Sequence, residues 1–552
     1  MNITVSQFVI RYLERLGVDH VFGIPGAHIL PVFDALYDSS IKTILAKHEQ
    51  GASFMAGGYA KQSGRIGVCI ATAGPGATNL VTGLASAYMD RLPVFAITGE
   101  TPTYSFGKGA LQESSGEGFC INQSDIFRGV TRYNGVVHRT DYMLNLFRSV
   151  TGILLSENPG PVLLSFPYNV LKETVDEAML ERISFARRSG GTAKDGTVGV
   201  KEVLSMLKGA RRPVVIAGHG SVLAGAEDSI ARFCADTKTP LATSLKARGI
   251  VPESSGLSLG ILGITSQEAA FRYISEQADL VFIAGASFGE RTSYNWNDRL
   301  LAGKKVVQID NDESQLNKVF AADVALKCDV KTFFDSLLAA LSSNGFVRKD
   351  MDAVEDYKAR YTNHDIGDDE FLLVSRFLRN MGEMFGNGKV SIFDDNIIYM
   401  QRFCNIAMSG TYFPNSGISS LGHAIPAAIG AKLATEKPVI AILGDGGFQM
   451  CCMEIMTAVS HGIPLTVVLL NNSTLGLVRK NQFYNYSGRF IASEFVNPDY
   501  GKLAESFGIS YFRVESEADA DRVFGNVDFV HAINLIELIL NKDEFPKYSS
   551  GR

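Results

Sequence analysis

The stretch Val439-Ile-Ala-Ile-Leu-Gly444-Asp445-Gly446-Gly447-Phe448 decides the fold. Val439–Leu443 is apolar and rich in β-branched residues, as strands buried on both faces are, and it runs straight into a glycine turn carrying one carboxylate. Gln449–Ser460 reads as the following helix and Leu465–Leu470 as the next strand, ending in Asn471-Asn472. Asp445 and Asn472 are 27 residues apart, about the length of one strand–helix–strand unit. Both therefore reach the C-terminal edge of neighbouring parallel strands, where open α/β sheets bind ligands. Gly444, Gly446 and Gly447 let backbone approach a ligand closely, and the N-terminus of the helix favours an anion. A carboxylate and an amide oxygen are the hard donors Mg²⁺ takes, with diphosphate oxygens and water to complete an octahedron. Gly-Asp-Gly alone is a common turn; its pairing with a second strand end at this spacing points to a metal-diphosphate.

The same alternation extends outward. In the first third, helices are expected at Val5–Leu16, Val32–Tyr37, Glu49–Gln62 and Thr78–Met89, and strands at His20–Phe22, Thr43–Ala46, Gly67–Thr72, Val94–Thr98 and Pro161–Phe166. A small, polar stretch, Ser184–Thr197, reads as a linker. A second unit holds strands at Pro213–Ala217, Leu280–Ala284 and Lys305–Ile309, with a helix at Gly225–Cys234, and Ser342–Asp365 reads as a second linker. The third unit adds a strand at Val390–Phe393. The expected fold is α/β, with three doubly wound parallel-sheet domains at 1–180, 190–345 and 360–552.

Composition excludes several classes. Of the 552 residues, 46% are hydrophobic and 20% charged, which is ordinary for a globular protein. The net charge of −6 is spread evenly, so neither a nucleic-acid stripe nor an acidic tail is expected. No run reaches the ~18 apolar residues of a membrane helix, and Met1–Gly17 lacks a signal pattern. Seven widely spaced cysteines without a Cys-x-x-Cys read as reduced thiols of a cytoplasmic protein. Glycine is the one excess, 54 residues, clustered at the expected strand-to-helix turns.

Gly444-Asp445-Gly446 through Asn471-Asn472 resembles the diphosphate signature of thiamine-diphosphate enzymes. Val21-Phe-Gly-Ile-Pro25-Gly26-Ala27, Lys47-His48-Glu49-Gln50 and Ala71-Thr-Ala-Gly74-Pro75-Gly76-Ala77-Thr78-Asn79 resemble the pyrimidine-binding domain of the same family, in particular of the acetohydroxyacid (acetolactate) synthases. The resemblance covers nearly the whole chain. It implies pyrimidine-binding, central and diphosphate-binding domains in that order, and a homodimer or homotetramer with active sites between subunits. It makes Glu49 the carboxylate that shares a proton with the aminopyrimidine ring, with Pro25, Gly26, Pro75 and Asn79 as pyrimidine-side contacts. Leu421, in Ser419-Ser420-Leu421-Gly422-His423, takes the place of the large apolar residue that bends the coenzyme. Asp445, Asn472 and the carbonyl of Thr474 would hold Mg²⁺. Asn396, Ile397, Ser419, Gly444, Gly446, Gly447, Leu475 and Gly476 fall on the diphosphate side.

Gly109-Ala110-Leu111-Gln112-Glu113 resembles the synthases' Ala-Phe-Gln-Glu run, which makes Gln112 and Glu113 candidates for the reacting centre. The loop that follows is longer than in the synthases and looks more like that of pyruvate and indolepyruvate decarboxylases, where a His-His pair stands in place of Gln112-Glu113. After a 2-oxo acid loses CO₂, a proton donor at this place would release an aldehyde. Glutamine has no titratable proton, which favours attack on a second carbonyl; Glu113 and Glu117 keep the aldehyde route open. The expectation is decarboxylation of a 2-oxo acid, pyruvate first, with transfer of the acyl unit to a carbonyl acceptor. The alternatives are a decarboxylase releasing an aldehyde, a C–C hydrolase or lyase, and a non-catalytic paralogue. Asn481 stands where the synthases carry a tryptophan, leaving the acceptor open. In the central domain, Ala217-Gly218-His219-Gly220 and Ala284–Arg291 match the synthases' FAD positions, but Ser287 replaces an arginine and Gly289 an aspartate. FAD, ADP or nothing remain open there.

Overall fold

The computed structural model describes residues 1–186, 197, 199–266, 268–346, 371–386 and 388–545. Most of the two expected linkers, and the start of the third expected domain at 360, lie outside these residues.

The first domain contains β1 (Asn2–Thr4), β2 (His20–Gly23), β3 (Lys42–Leu45), β4 (Gly67–Ala71), β5 (Val94–Glu100), β6 (Tyr133–Val136), β7 (Val162–Pro167) and β8 (Thr174–Asp176). β1 and β8 form a small antiparallel ribbon, and the other six form a parallel sheet in the order β3-β2-β4-β5-β7-β6. The central domain contains β9 (Pro213–Ala217), β10 (Leu241–Thr243), β11 (Ser258–Ile261), β12 (Leu280–Ala284), β13 (Lys305–Asp310) and β14 (Val324–Lys327), ordered β11-β10-β9-β12-β13-β14. The third contains β15 (Ser391–Asp394), β16 (Tyr412–Pro414), β17 (Val439–Gly444), β18 (Leu465–Asn471), β19 (Ser510–Val514) and β20 (Ile533–Ile539), ordered β16-β15-β17-β18-β20-β19. All three six-stranded sheets are parallel. The outer two share one strand order, and the central one has the order of dinucleotide-binding folds.

The strands form because their residues are apolar on both faces: every residue of β4, β9 and β12 is buried. Helix Val5–Arg15 begins where Thr4 and Gln7 cap each other reciprocally. Two expected helices are broken. Thr78–Met89 is split into Pro75–Asn79 and Val81–Met89, and Gln449–Ser460 into Asp445–Cys451, a tight turn Cys452–Glu454, and Ile455–His461. At the second break the Glu454 side chain reaches into the first domain.

The outer domains share one continuous apolar core, running from Phe22, Met55 and Tyr59 to Ile425, Phe448 and Leu465. At its centre helix Glu49–Ser63 crosses helix Ala424–Lys432. A Cβ on Gly58 would lie 2.0 Å from the Ala427 carbonyl oxygen, and one on Gly430 would lie 2.0 Å from that of Met55, so only glycine permits this approach. The central domain has its own cores. It is tied to the first domain by Arg91–Asp312 at 2.5 Å and by Lys246 and Lys61, from different domains, on the buried Asp90.

Candidate functional site

The edge predicted from Asp445 and Asn472 forms as β17 and β18 pair in parallel, Gly444 opposite Leu470. Asp445 follows β17 directly and is 1% exposed. Its Oδ2 accepts from the Ser473 amide at 2.6 Å and from Asn497 Nδ2 at 2.8 Å, and its Oδ1 from the Gly446 amide at 3.0 Å. Burial pushes its carboxyl pKa up, and these hydrogen bonds oppose the shift. Asn472 Oδ1 accepts from the Thr474 amide and hydroxyl, each at 3.2 Å. Leu475 packs against Gly446, and Gly476 lies against Asn472 Nδ2. Among the described residues no group of three or more His, Cys, Asp or Glu is placed to hold a metal. One carboxylate, one amide oxygen and a carbonyl nevertheless fit Mg²⁺, which takes few protein ligands and completes its shell with phosphate and water.

Two residues that brace this edge carry no motif. Asn497 joins Asp445 to Asn471 Oδ1, 2.7 Å away, and is itself held by Tyr500 and Gln449. Asp395 accepts from the amides of Gly422, His423 and Ala424 at 2.7, 3.1 and 2.8 Å. It also lies against Gly447, and so ties the Ser419–Gly422 loop to the Gly-Asp-Gly turn. Burial pushes the Asp395 carboxyl up to about 7 against those three amides. Leu421, 39% exposed, stands beside the same turn. Asn396, at φ 69°, accepts from Arg291 of the central domain at 2.6 Å, and the Ile397 amide donates to Asp394.

On the first sheet the turns after β2, β3 and β4 converge. Glu49 opens helix Glu49–Ser63, with His48 as its cap. Asn79, at the end of helix Pro75–Asn79, donates to Glu49 Oε2 at 2.9 Å, and Glu49 Oε1 stands 3.5 Å from where a Cβ on Gly76 would lie. Gly26, which follows Pro25, and Gly76 both pack on Thr72. Gln112, at φ 57°, lies against Gly74. The Glu113 carboxylate turns into its own loop, accepting from the Ser115 hydroxyl at 2.7 Å and the amides of Gly107 and Ala110 at 2.5 and 3.0 Å. The Ser115 hydroxyl and those amides hold it down at about 2. The base of the loop is anchored by Ser114 on the buried Glu100. His28 is a further buried residue here: it packs on Gly99 of β5, and its Nδ1 has no hydrogen-bond partner among the described residues.

At the β9/β12 switch point of the central sheet, Gly218 donates to the Ala284 carbonyl, Gly220 to Gly285 and Ser221 to Gly218, at 2.8, 2.9 and 3.0 Å. These three amides are spent inside the turn.

Family models match three segments: the thiamine pyrophosphate enzyme N-terminal TPP binding domain at residues 3–119, the central domain at 200–337 and the C-terminal TPP binding domain at 395–527. The chain belongs to the thiamine pyrophosphate enzyme family. Its full-length relatives include the probable acetolactate synthase large subunit of Methanocaldococcus jannaschii, 32% identical over 98% of this chain and 92% of the relative. The acetolactate synthase of Mycobacterium bovis is 34% identical over 100% of this chain and 90% of its own length. The acetolactate synthase large subunit of Lactococcus lactis subsp. lactis is 32% identical over 98% and 93%.

Proposed function

We propose that the protein is a thiamine-diphosphate- and Mg²⁺-dependent carboligase. It decarboxylates a 2-oxo acid, pyruvate first, and joins the acyl unit to a second carbonyl compound. The observation that carries joining over simple release is the state of the loop at Gln112 and Glu113. Gln112 has no titratable proton, and Glu113 is held ionised by its own loop. Neither suits a group that must protonate a carbanion and free an aldehyde.

The coenzyme, when bound, supplies the carbanion stabilisation that no side chain offers. The protein's part is placement and proton handling. Glu49, with one oxygen occupied by Asn79, would hold a proton at the aminopyrimidine ring through the other, and Pro25, Gly26, Pro75 and Asn79 would line that ring. Leu421 would support the coenzyme's bend. Gly444, Gly446, Gly447, Asn396, Ile397, Ser419, Leu475 and Gly476 would surround the diphosphate, with Asp445, Asn472 and the Thr474 carbonyl on Mg²⁺. The domains run 1–180, 190–345 and 360–552, and a flavin bound in the central one would be structural rather than redox-active.

The site reads as shared between two copies in a homodimer or homotetramer. Supporting this, Leu421 and the neighbouring Met450, 65% exposed, are apolar side chains open to solvent beside the Gly-Asp-Gly turn in the single chain. Seven unpaired cysteines support the cytoplasm as its compartment; no helix among the described residues is long and apolar enough to cross a membrane.

The test is incubation of the purified protein with thiamine diphosphate, Mg²⁺ and pyruvate, alone and with a second 2-oxo acid, an aldehyde or a keto sugar. CO₂ release with a coupled product is expected. Acetaldehyde as the sole product would overturn carboligation in favour of the decarboxylase reading, and an absorption spectrum of the same sample decides the flavin.

A further inference from the structure

The broken helix after Asp445 has a function in the other outer domain. It is interrupted at Cys452–Glu454, and the interruption turns Glu454 out of the helix and into the first domain. Glu454 is 3% exposed. Its carboxylate accepts from the Lys47 amide at 3.1 and 3.2 Å, from the His48 amide at 2.9 Å and from the Thr457 hydroxyl at 2.7 Å. Lys47 and His48 are the two residues before Glu49, so an anion from one domain satisfies the amides that lead into the helix of another. A Cβ on Gly51 would lie 2.1 Å from Glu454 Oε1, so the helix is notched to admit the carboxylate. The same segment also holds the end of β3: the Leu45 amide donates to His461 Nε2 at 3.0 Å.

We propose that Glu454 is a positioning residue for Glu49. By clamping the Lys47–His48 turn from across the domain boundary, it sets where the Glu49 carboxylate stands. Asn79 orients the carboxylate at its tip, and Glu454 places the backbone it grows from. The inference rests on the reading of Glu49 as the proton-handling carboxylate.

The test measures exchange of the C2 proton of thiamine diphosphate for deuterium in the loaded enzyme, with coenzyme affinity by fluorescence titration and amide hydrogen exchange of the coenzyme-free protein. Glu454→Ala is expected to expose the amides at 47 and 48 and slow C2 exchange by roughly tenfold or more, with coenzyme affinity within about threefold of wild type. Glu454→Gln keeps an acceptor oxygen and is expected to restore C2 exchange to within about threefold. If Glu454→Ala does not fold, Gly51→Ala, which pushes the carboxylate off the turn without removing it, must give the same loss. A folded variant with exposed 47–48 amides and wild-type C2 exchange overturns the proposal. Glu49→Gln, run alongside, separates the two claims: wild-type exchange in that variant sinks the reading of Glu49 itself.

Discussion

Asn79 donates a 2.9 Å hydrogen bond to Glu49 Oε2, joining the turn after β4 to the turn after β3. Each residue sits at the end of a short helix or the start of a long one, so neither backbone is free to drift. The bond leaves Oε1 as the oxygen available to a ligand, beside Gly76. Glu49→Gln keeps the size and the contact but cannot exchange a proton. Its kcat is expected to fall about 10²–10⁴-fold, with an unchanged melting curve by circular dichroism. Asn79→Ala removes only the orientation and is expected to cost roughly tenfold. Turnover in Glu49→Gln within a factor of a few of wild type would show that the proton passes elsewhere.

Asn497 makes a prediction about metal. It holds Asp445 Oδ2 and Asn471 Oδ1 together without being a donor to the ion itself. Groups that orient a metal ligand typically contribute 10–100-fold in affinity. Asn497→Ala is therefore expected to raise the Mg²⁺ needed for half-maximal activity by about 10–100-fold and to recover at saturating Mg²⁺. Asp445→Ala is expected not to recover. Titrating metal-stripped enzyme distinguishes them, and equal Mg²⁺ requirements in wild type and Asn497→Ala would count against the assignment.

What could be read from the chain and what could not divide along a physical line. Asp445 and Asn472 are legible because each ends a contiguous apolar strand, and the strand itself places them. Asn497 is not: it lies in an irregular segment and reaches Asp445 only because the chain folds back over the turn. Asp395 is not legible either: it stands next to the expected Asn396, but its work, three amides of a loop beginning at Gly422, is a long-range contact. The helix expected over 449–460 is interrupted at Cys452–Glu454, where Glu454 meets the Lys47 and His48 amides, a contact no local pattern announces. Strand order was equally out of reach. Periodicity gives strands, and only packing decides that the central sheet is ordered differently from its neighbours. The short edge strands β11, β14 and β16, partly polar or interrupted by glycine and proline, carry too weak a pattern to announce themselves.

His219 gives a pH-dependent difference. Burial, then the nearby Lys246 ammonium, pushes its imidazole down to about 4, and neither ring nitrogen has a hydrogen-bond partner among the described residues. An unfolded histidine titrates near ~6.5. Between these values the unfolded chain binds a proton that the folded one refuses, so this contribution to stability is present above 6.5 and is lost as pH falls towards 4, at no more than about 1.4 kcal/mol per pH unit. His219→Gln is expected to gain stability relative to wild type as pH falls from 7 to 5. The comparison with wild type isolates the residue, because Asp394 and Asp395, raised to about 7 by burial, change stability in the opposite direction over the same range. Asp90 adds nothing there: burial would raise its carboxyl, but Lys246 and Lys61 outweigh this and hold it well below the carboxylate range. Parallel stability–pH curves for wild type and His219→Gln would refute the assignment.

Gly57 and Gly58 are adjacent in helix Glu49–Ser63, and substitution should move stability in opposite directions. Alanine is worth about 0.8–1 kcal/mol over glycine inside a helix. At Gly57 a Cβ would meet only Leu92 Cδ1, at an ordinary 3.7 Å, so Gly57→Ala is expected to gain up to about 1 kcal/mol. At Gly58 the same methyl would meet the Ala427 carbonyl oxygen at 2.0 Å, and a backbone atom cannot swing aside. Overpacking of this kind costs about 1–3 kcal/mol, which exceeds the helix gain. Gly58→Ala is therefore expected to melt lower than wild type and Gly57→Ala no lower. Because this helix begins at Glu49, the displacement in Gly58→Ala should also reduce turnover at saturating coenzyme. Denaturant titration of both variants checks the signs, and equal effects at the two positions would mean that the helices do not cross at Gly58.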